Sequence, residues 1–152
     1  MSCKHRFFDE LIPTWKLQYL FIGTFNPEWS DNNSDAVYFY GRKRNNFWGI
    51  LPNIFGGNSM KGCEDKVQMK AYIKNKNIGI TDLISCVVNV DEGDLRDKDL
   101  LTKGFSDNVL NKLDLEFSTY QILELIEKNK DTLKGVYFTR STSGGISKIW
   151  KE

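Results

Sequence analysis

The sequence predicts an α/β fold, a three-layer α/β/α arrangement with a central parallel sheet of three to four strands. Two observations support this prediction. Three short runs rich in apolar and branched residues, at 17–23, 78–88 and 135–139, are typical of strands buried on both faces. Stretches with apolar residues at helical spacing separate these runs, and strands that alternate with helices form parallel sheets. At 152 residues the chain is expected to be one domain, 1–152.

The helices follow from the spacing of apolar residues. Amphipathic helices are predicted over 45–55, where Pro52 bends or ends the helix, over 64–76 and over 120–130. The side chains of the second helix expected to face inward are Val67, Met69, Tyr72 and Ile73. The shorter predicted elements are a helical turn within 7–15, a polar loop at 29–36, an irregular charged excursion at 91–103, a short helix at 107–113, an edge strand or turn at 115–117 and a helix that begins at Ile146.

Composition limits the class of protein. Apolar residues make up 40% of the chain and charged residues 27%, which is typical of a globular domain. No run approaches the ~18 consecutive apolar residues that a membrane helix needs. The first residues also lack the apolar stretch of a signal peptide. We therefore expect a cytoplasmic protein with no membrane partner.

Cysteine and histidine usage limits the chemistry. The three cysteines are scattered without a CxxC spacing, which argues against a disulfide framework. The only histidine is His5, so a zinc site made of cysteine and histidine ligands is not expected. The single histidine also excludes most catalytic sites in which a histidine activates a serine or cysteine nucleophile. Amides, carboxylates, hydroxyls or backbone groups are expected to carry the chemistry, with no metal and no cofactor.

The net charge of +1 lacks the basic excess that a strongly nucleic-acid-binding domain usually has. Any contact with nucleic acid must therefore depend on local patches. The basic triplet Arg42, Lys43 and Arg44 is the best candidate in the chain.

The segment that follows the first predicted strand is the most chemically unusual part of the chain. Ligands of parallel sheets bind beyond the carboxyl ends of the strands, where this segment would lie. Gly23 allows a sharp exit from the sheet, Pro27 fixes the loop, and the amide of Asn26 can both donate and accept. Aromatic residues, the basic triplet and two asparagines follow over 38–48. Together these groups suit a planar heteroaromatic ring attached to phosphate.

Each of these features also has a purely structural interpretation. Phe47 and Trp48 begin an amphipathic run and are expected to belong to the core. The basic triplet alone would be a solvated charge run, and Asn26-Pro27 alone would be turn chemistry. The order and spacing of the features, and not any single one, carry the functional prediction.

That order resembles the uracil-DNA glycosylase superfamily, in particular its mismatch-specific uracil-DNA and hypoxanthine-DNA glycosylase branches. The matching segments are Leu-Phe-Ile-Gly-Thr-Phe-Asn-Pro-Glu-Trp at 20–29 and Tyr-Gly-Arg-Lys-Arg-Asn-Asn-Phe-Trp at 40–48. Gly-Ile-Thr-Asp-Leu-Ile at 79–84 is similar to the second strand of the family. These segments cover about a third of the chain, with weaker similarity at 122–127 and 135–139.

The resemblance implies an activity and a set of site residues. The activity is hydrolysis of the N-glycosidic bond of a deaminated base, uracil or hypoxanthine, flipped out of DNA at a damaged or mismatched position. Asn26 would position the attacking water, Asn45 would also act in catalysis, and Tyr40 would stack on the extruded base. The implied substrate-binding residues are Gly23, Phe25, Pro27, Tyr40, Thr81 and Asp82. The implied DNA-backbone contacts are Arg42, Lys43, Arg44 and Ser143. No cofactor is implied, and we expect a monomer.

Two departures from the family pattern affect these expectations. One residue more than usual separates Gly23 from Pro27, so the water-positioning role falls either on Asn26 or on a neighbour. The later family loop, which wedges into DNA, has no clear counterpart. Residues 141–147 are either a degenerate version of it, or the chain stops one strand and one helix early and leaves a three-strand core with an exposed edge. We favour the second, C-terminally truncated interpretation.

Three functions stay open. The favoured one is the glycosylase. The second is a glycosylase-like module that has lost catalysis and binds nucleic acid or a nucleotide, which the near-neutral charge supports. The third is an α/β enzyme that acts on another small substrate. A pocket between Asn26, Tyr40 and Asn45 is what the first function requires.

Overall fold

The computed structural model describes residues 1–29, 36–103, 105–140, 146 and 149–151, and of residue 150 the backbone only. The strands are β1 (Ser2–Lys4), β2 (Tyr19–Gly23), β3 (Ile78–Asp82), β4 (Ile84–Val88), β5 (Asp114–Phe117) and β6 (Gly135–Phe138). The α-helices are α1 (Phe47–Phe55), α2 (Lys66–Asn75), α3 (Leu95–Leu101) and α4 (Thr119–Lys128). Short 3-10 segments span Phe8–Glu10, Asp107–Lys112 and Ile149–Lys151.

The structure contains a parallel sheet of three strands, as the sequence predicts. Its order is β3-β2-β6, and both pairs of neighbours run parallel. The register places Gly23 opposite Asp82 and Ile22 opposite Phe138. The last residues of all three strands therefore lie at one edge of the sheet, which is where the functional residues were expected.

A second sheet was not predicted. The run 78–88, predicted as one strand, is divided at Leu83 into β3 in the parallel sheet and β4 in an antiparallel sheet of order β1-β4-β5. At the junction the backbone N–H of Leu83 donates to Gly23, whereas its carbonyl accepts from Ser118 next to β5. An apolar run looks the same whichever partners its two halves have, so this change of sheet has no signature in the pattern.

Two local predictions were also wrong. The charged segment 91–103 contains the helix α3, because the Asp94 carboxylate accepts from the backbone N–H of Arg96 at 2.8 Å and Leu101 is fully buried. In α2 the side chain of Val67 is 78% exposed, while Met69 and Ile73 are buried as expected. The predicted loop at 29–36 is described only at its two ends.

Apolar side chains cover both faces of the central strand β2. Leu20 and Ile22 belong to a core cluster that includes Ile122 and Leu125 of α4. The neighbouring side chains of β2, Tyr19 and Phe21, pack on the other core cluster. That second cluster includes residues of α1, α2 and β3, namely Trp48, Leu51, Met69, Ile73, Ile78 and Ile80.

The strand β6 lies at an edge of the parallel sheet and pairs with β2. Its side chains Tyr137 and Phe138 are about half exposed, at 47% and 53%.

None of the helices in the described part of the chain has the length and apolar character of a membrane-spanning segment.

Candidate functional site

A cavity of about 380 Å³ opens at the carboxyl ends of the three parallel strands. Five separate parts of the chain contribute to it: the loop after β2, the segment before α1, the last residue of β3, the approach to the second 3-10 segment and the residues after β6. The lining residues are Thr24, Phe25, Asn26, Ala36, Phe39, Tyr40, Arg42, Asn45, Asp82, Phe105, Ser106, Asp107, Thr139 and Arg140.

The cavity brings together about half of the predicted site residues. Those that line it are Phe25, Asn26, Tyr40, Arg42, Asn45 and Asp82. The predicted residues outside its lining are Gly23, Pro27, Lys43, Arg44 and Thr81. Thr81 is fully buried, and its hydroxyl has no hydrogen-bond partner among the described residues. Ser143 lies outside the described residues.

A buried histidine holds the carboxylate of Asp82. Nε2 of His5 lies 2.7 Å from Oδ2 of Asp82, and the two side chains are 0% and 7% exposed. The other ring nitrogen, Nδ1, accepts the backbone N–H of Phe7 at 3.0 Å. Because Nδ1 is an acceptor, the ring proton is on Nε2, and His5 donates it to Asp82. The carboxylate is therefore fixed in orientation at the wall of the cavity.

The antiparallel sheet explains why His5 reaches Asp82 across 77 positions of sequence. The strand β1 pairs with β4, which begins two residues after Asp82, and Lys4 lies opposite Cys86. The backbone N–H of His5 then donates to the carbonyl of Ser85 at 2.8 Å. Sequence reasoning missed this residue because a single histidine near the N-terminus has no local signal of its partner.

Gly23 leaves room for two side chains that line the cavity. A Cβ atom at this position would lie 2.1 Å from the Tyr40 hydroxyl oxygen and 2.3 Å from Oδ1 of Asp82. Both distances are far shorter than van der Waals contact, so any side chain here would displace one group or the other. The sequence indicates Gly23 as a backbone turn, whereas its role in the structure is to allow this close approach.

Tyr40 links the opposite sides of the cavity. Its hydroxyl lies 2.8 Å from Oγ1 of Thr139 and 3.5 Å from Oδ1 of Asp82. Its ring packs on Phe47 with centroids 4.5 Å apart. Burial, and then the charge of Asp82, raise the pKa of Tyr40 well above its usual range, so the hydroxyl stays neutral. Its φ of 56° is in the left-handed region, which tyrosine rarely adopts and which is common at functional sites.

The two predicted catalytic amides have different surroundings. The side chain of Asn26 has no hydrogen bond to any other residue that the structure describes, and its backbone carbonyl accepts from Arg6 at 2.8 Å. By contrast, Oδ1 of Asn45 accepts the backbone N–H of Phe47 at 2.9 Å, at the start of α1. The amide nitrogen of Asn45 therefore remains as its donor toward the cavity.

A second carboxylate lines the same cavity as Asp82. Asp107 begins the second 3-10 segment, and its Oδ2 lies 3.0 Å from Nη1 of Arg140. Burial raises the pKa of Asp107, and the charge of Asp82 adds to this. The Thr24 hydroxyl and the Arg140 guanidinium act in the opposite direction. Sequence reasoning missed Asp107, because nothing in a charged segment far from the motifs indicates that it closes this cavity.

The basic triplet contributes one residue to the cavity and two to the surface. Arg42 lines the cavity, whereas Lys43 and Arg44 are exposed outside it. The ammonium group of Lys43 lies 3.3 Å from Glu64 in an exposed ion pair. Arg140 is the second guanidinium of the cavity. The rule that sites lie beyond strand ends could have identified it, since it comes soon after the end of β6.

Among the described residues, no group of three or more His, Cys, Asp or Glu side chains could hold a metal ion.

Comparison of the chain with models of protein families, with curated proteins and with solved structures found no match.

Proposed function

We propose that the protein is a DNA glycosylase that hydrolyses the N-glycosidic bond of a deaminated base, uracil or hypoxanthine, flipped out of DNA. The observation that carries the proposal is the convergence of Asn26, Tyr40 and Asn45 on one cavity at the ends of the parallel strands. These are the three residues that the motif resemblance requires to meet, and they come from two separate motifs of the sequence.

The chemistry of the cavity suits such a base. Deamination replaces an amino donor on the ring by a carbonyl acceptor, so a site for these bases needs a donor at that position. The amide nitrogen of Asn45 can serve as this donor, while its oxygen accepts the backbone N–H of Phe47. The amide of Asn26 can hold a water, and the aromatic rings of Phe25 and Tyr40 offer flat apolar contact to the base.

The cations of the site would contact phosphate. Arg42 lies in the lining and Lys43 and Arg44 lie beside it on the surface, where a DNA strand entering the cavity would pass. This arrangement agrees with a near-neutral protein that binds through a local patch.

A second candidate is a glycosylase-like module that binds nucleic acid or a nucleotide without catalysis. The engagement of the Asn45 oxygen favours it, because one of the two lone pairs of that oxygen already accepts the backbone N–H of Phe47, which leaves a single position for a water. We rank it below the glycosylase because Asn26 retains an amide with no partner in the described chain.

The finer features of the proposal are a three-layer α/β/α arrangement, a cytoplasmic location and a monomer. The two core clusters on the two faces of β2, one with α4 and one with α1 and α2, support the three layers.

The test uses oligonucleotides that contain uracil, hypoxanthine or a mismatch, with an undamaged strand for comparison. We expect base release, read as alkali-dependent strand scission, from at least one modified base. Asn26→Ala and Asn45→Ala should each slow single-turnover release by about 100-fold or more, and Asn53→Ala, an exposed amide of α1, should not.

Three outcomes would change the proposal. Release at the wild-type rate from both alanine variants would refute the residue assignments. No release from any modified base would refute the activity. Salt-dependent binding to the same oligonucleotides without release would favour the binding module instead.

A further inference from the structure

Basic residues are concentrated in one part of the chain. The segment 42–76 contains eight of the 21 lysines and arginines but only two of the 20 acidic residues. The rest of the chain has more acidic than basic residues, so the net charge of +1 conceals an uneven distribution. This segment runs from the basic triplet beside the cavity to the residue that follows α2.

The helix α2 carries three lysines on one face. Lys66, Lys70 and Lys74 recur every four residues, and α2 contains no acidic residue. The three side chains line a groove of about 450 Å³, together with Glu10 and the exposed Val67. With a rise of about 1.5 Å per residue they cover about 12 Å of the helix axis. We call Lys66, Lys70 and Lys74 the lysine face.

The charge of the lysine face is only partly neutralised. Lys66 and Lys70 each pair with one oxygen of the Glu10 carboxylate, Lys70 at 2.8 Å. Their side chains are still 42% and 43% exposed. Lys74 is exposed and has no ion pair with any other residue that the structure describes. One carboxylate against three ammonium groups leaves a positive surface open to solvent.

The lysine face is continuous with the basic triplet. The ammonium group of Lys43 lies 3.3 Å from Glu64, which directly precedes the N-cap residue of α2. The ammonium group of Lys66 lies over the rings of Phe7 and Tyr38, 5.5 and 5.9 Å from their centroids. Tyr38 belongs to the segment before α1, part of which lines the cavity. The lysine face therefore begins beside the cavity and leads away from it along α2.

We propose that the lysine face binds the phosphate backbone of DNA outside the cavity, as a continuation of the basic triplet. A row of exposed ammonium groups on a helix without acidic residues complements a polyanion. Successive phosphates of one strand lie about 3.4 Å apart along the duplex axis, so about 12 Å of helix matches three or four of them. This inference rests on the proposed function for the choice of DNA, and it adds a surface that lies outside the motifs of the sequence.

Lysine suits this kind of contact. Its ammonium group is a point charge on a flexible stem, so it can meet a phosphate without a fixed orientation. Contacts of this type position a protein on DNA and do not depend on the base sequence. The lysine face should therefore strengthen binding to damaged and undamaged DNA alike.

The salt dependence of binding tests the surface without any chemical step. The ligand is an undamaged duplex of about 20 base pairs, and its affinity is measured by fluorescence anisotropy between about 50 and 200 mM salt. The test variant carries Lys70→Gln and Lys74→Gln. The matched control carries Lys98→Gln and Lys103→Gln, in and after α3, and loses the same net charge from a segment rich in acidic residues.

The test variant and the control should differ in slope and in affinity. Each lost phosphate contact lowers the slope of log affinity against log salt by about 0.9, so the test variant should lose about 2 units of slope. Its affinity at about 50 mM salt should fall by about tenfold or more, and that of the control should stay within about twofold of the wild type. Lys74→Gln alone breaks no ion pair among the described residues and should lower the slope by about 1, so it decides the matter if the double variant is unstable.

The outcomes separate the inference from the proposed function. Equal slopes for the test variant and the control would overturn the inference, and base release by the wild type would then leave the glycosylase standing. A lower slope in the test variant without base release by the wild type would keep the lysine face and refute the glycosylase. Weaker binding of the test variant to vesicles of anionic phospholipid, with duplex binding unchanged, would overturn the inference and assign the face to a membrane surface.

Discussion

The two walls of the cavity are built in different ways. The inner wall consists of Tyr40 and Asp82, with Gly23 and His5 packed against these side chains outside the lining, and the outer wall consists of Asp107, Thr139 and Arg140. In the inner wall the Asp82 side chain is 7% exposed and is held by a fully buried histidine. In the outer wall the guanidinium side chain that pairs with Asp107 is 46% exposed.

This difference determines what each wall tolerates. A buried polar group that loses its partner cannot recover a hydrogen bond from water, whereas an exposed one can. The inner wall should therefore respond to substitution with large losses in stability. Substitutions in the outer wall should change the charge of the cavity with only small losses in stability.

The largest effect is expected at His5. His5→Leu leaves the buried carboxylate of Asp82 without its donor, and we expect a loss of about 3 kcal/mol in the free energy of unfolding, the upper end for a hydrogen bond to a charged group. Chemical denaturation of the variant and wild type measures it. In the Asp82→Asn background the same change should lose only about 1 kcal/mol. An equal loss in both backgrounds would mean that His5 acts by packing alone.

A smaller effect is expected from overpacking the inner wall. Gly23→Ala puts a Cβ 2.1 Å from the Tyr40 hydroxyl oxygen, so the Tyr40 side chain must move. This displacement should lower the free energy of unfolding by about 2 kcal/mol. Gly49→Ala in α1 is the control, because the nearest described atoms to its Cβ, on Lys61 and Ser59, would lie 3.6 Å away, and it should be neutral or stabilising by up to about 1 kcal/mol. Thermal melting of both variants checks this, and the contrast fails if the two shifts are equal.

The smallest effect is expected at the outer wall, and it depends on pH. Burial raises the pKa of Asp107, so between its unfolded and folded pKa the native state binds more protons than the unfolded state. Its contribution to the free energy of unfolding therefore falls as pH rises through that window. Relative to Asp107→Asn, the wild type should lose stability over this rise, by less than about 1 kcal/mol because the ion pair with Arg140 is partly solvated. A gain in the stability of the wild type relative to Asp107→Asn as pH rises would contradict a raised pKa of Asp107.

The sequence predicts the motif residues of the cavity better than the rest of its lining. Asn26, Tyr40 and Asn45 lie within two motifs whose order could be interpreted, and Asp82 lies within the run 78–88 that was predicted as one strand. His5, Asp107 and Arg140 have no motif, and each enters the site through a contact made over a long stretch of chain. Phe47 and Trp48 were expected in the core, and Trp48 is buried with its indole N–H 2.7 Å from the carbonyl of Phe39.

By itself the sequence determined the parallel strands, most of the helices and the part of the chain where the site lies, because these follow from local periodicity and from residues close in sequence. Only the tertiary structure decided that 78–88 serves two sheets, that His5 orients Asp82 and that Asp107 closes the cavity. The physical reason is that strand pairing and buried polar contacts join residues far apart in the chain. Their stability comes from mutual burial, which no local pattern records.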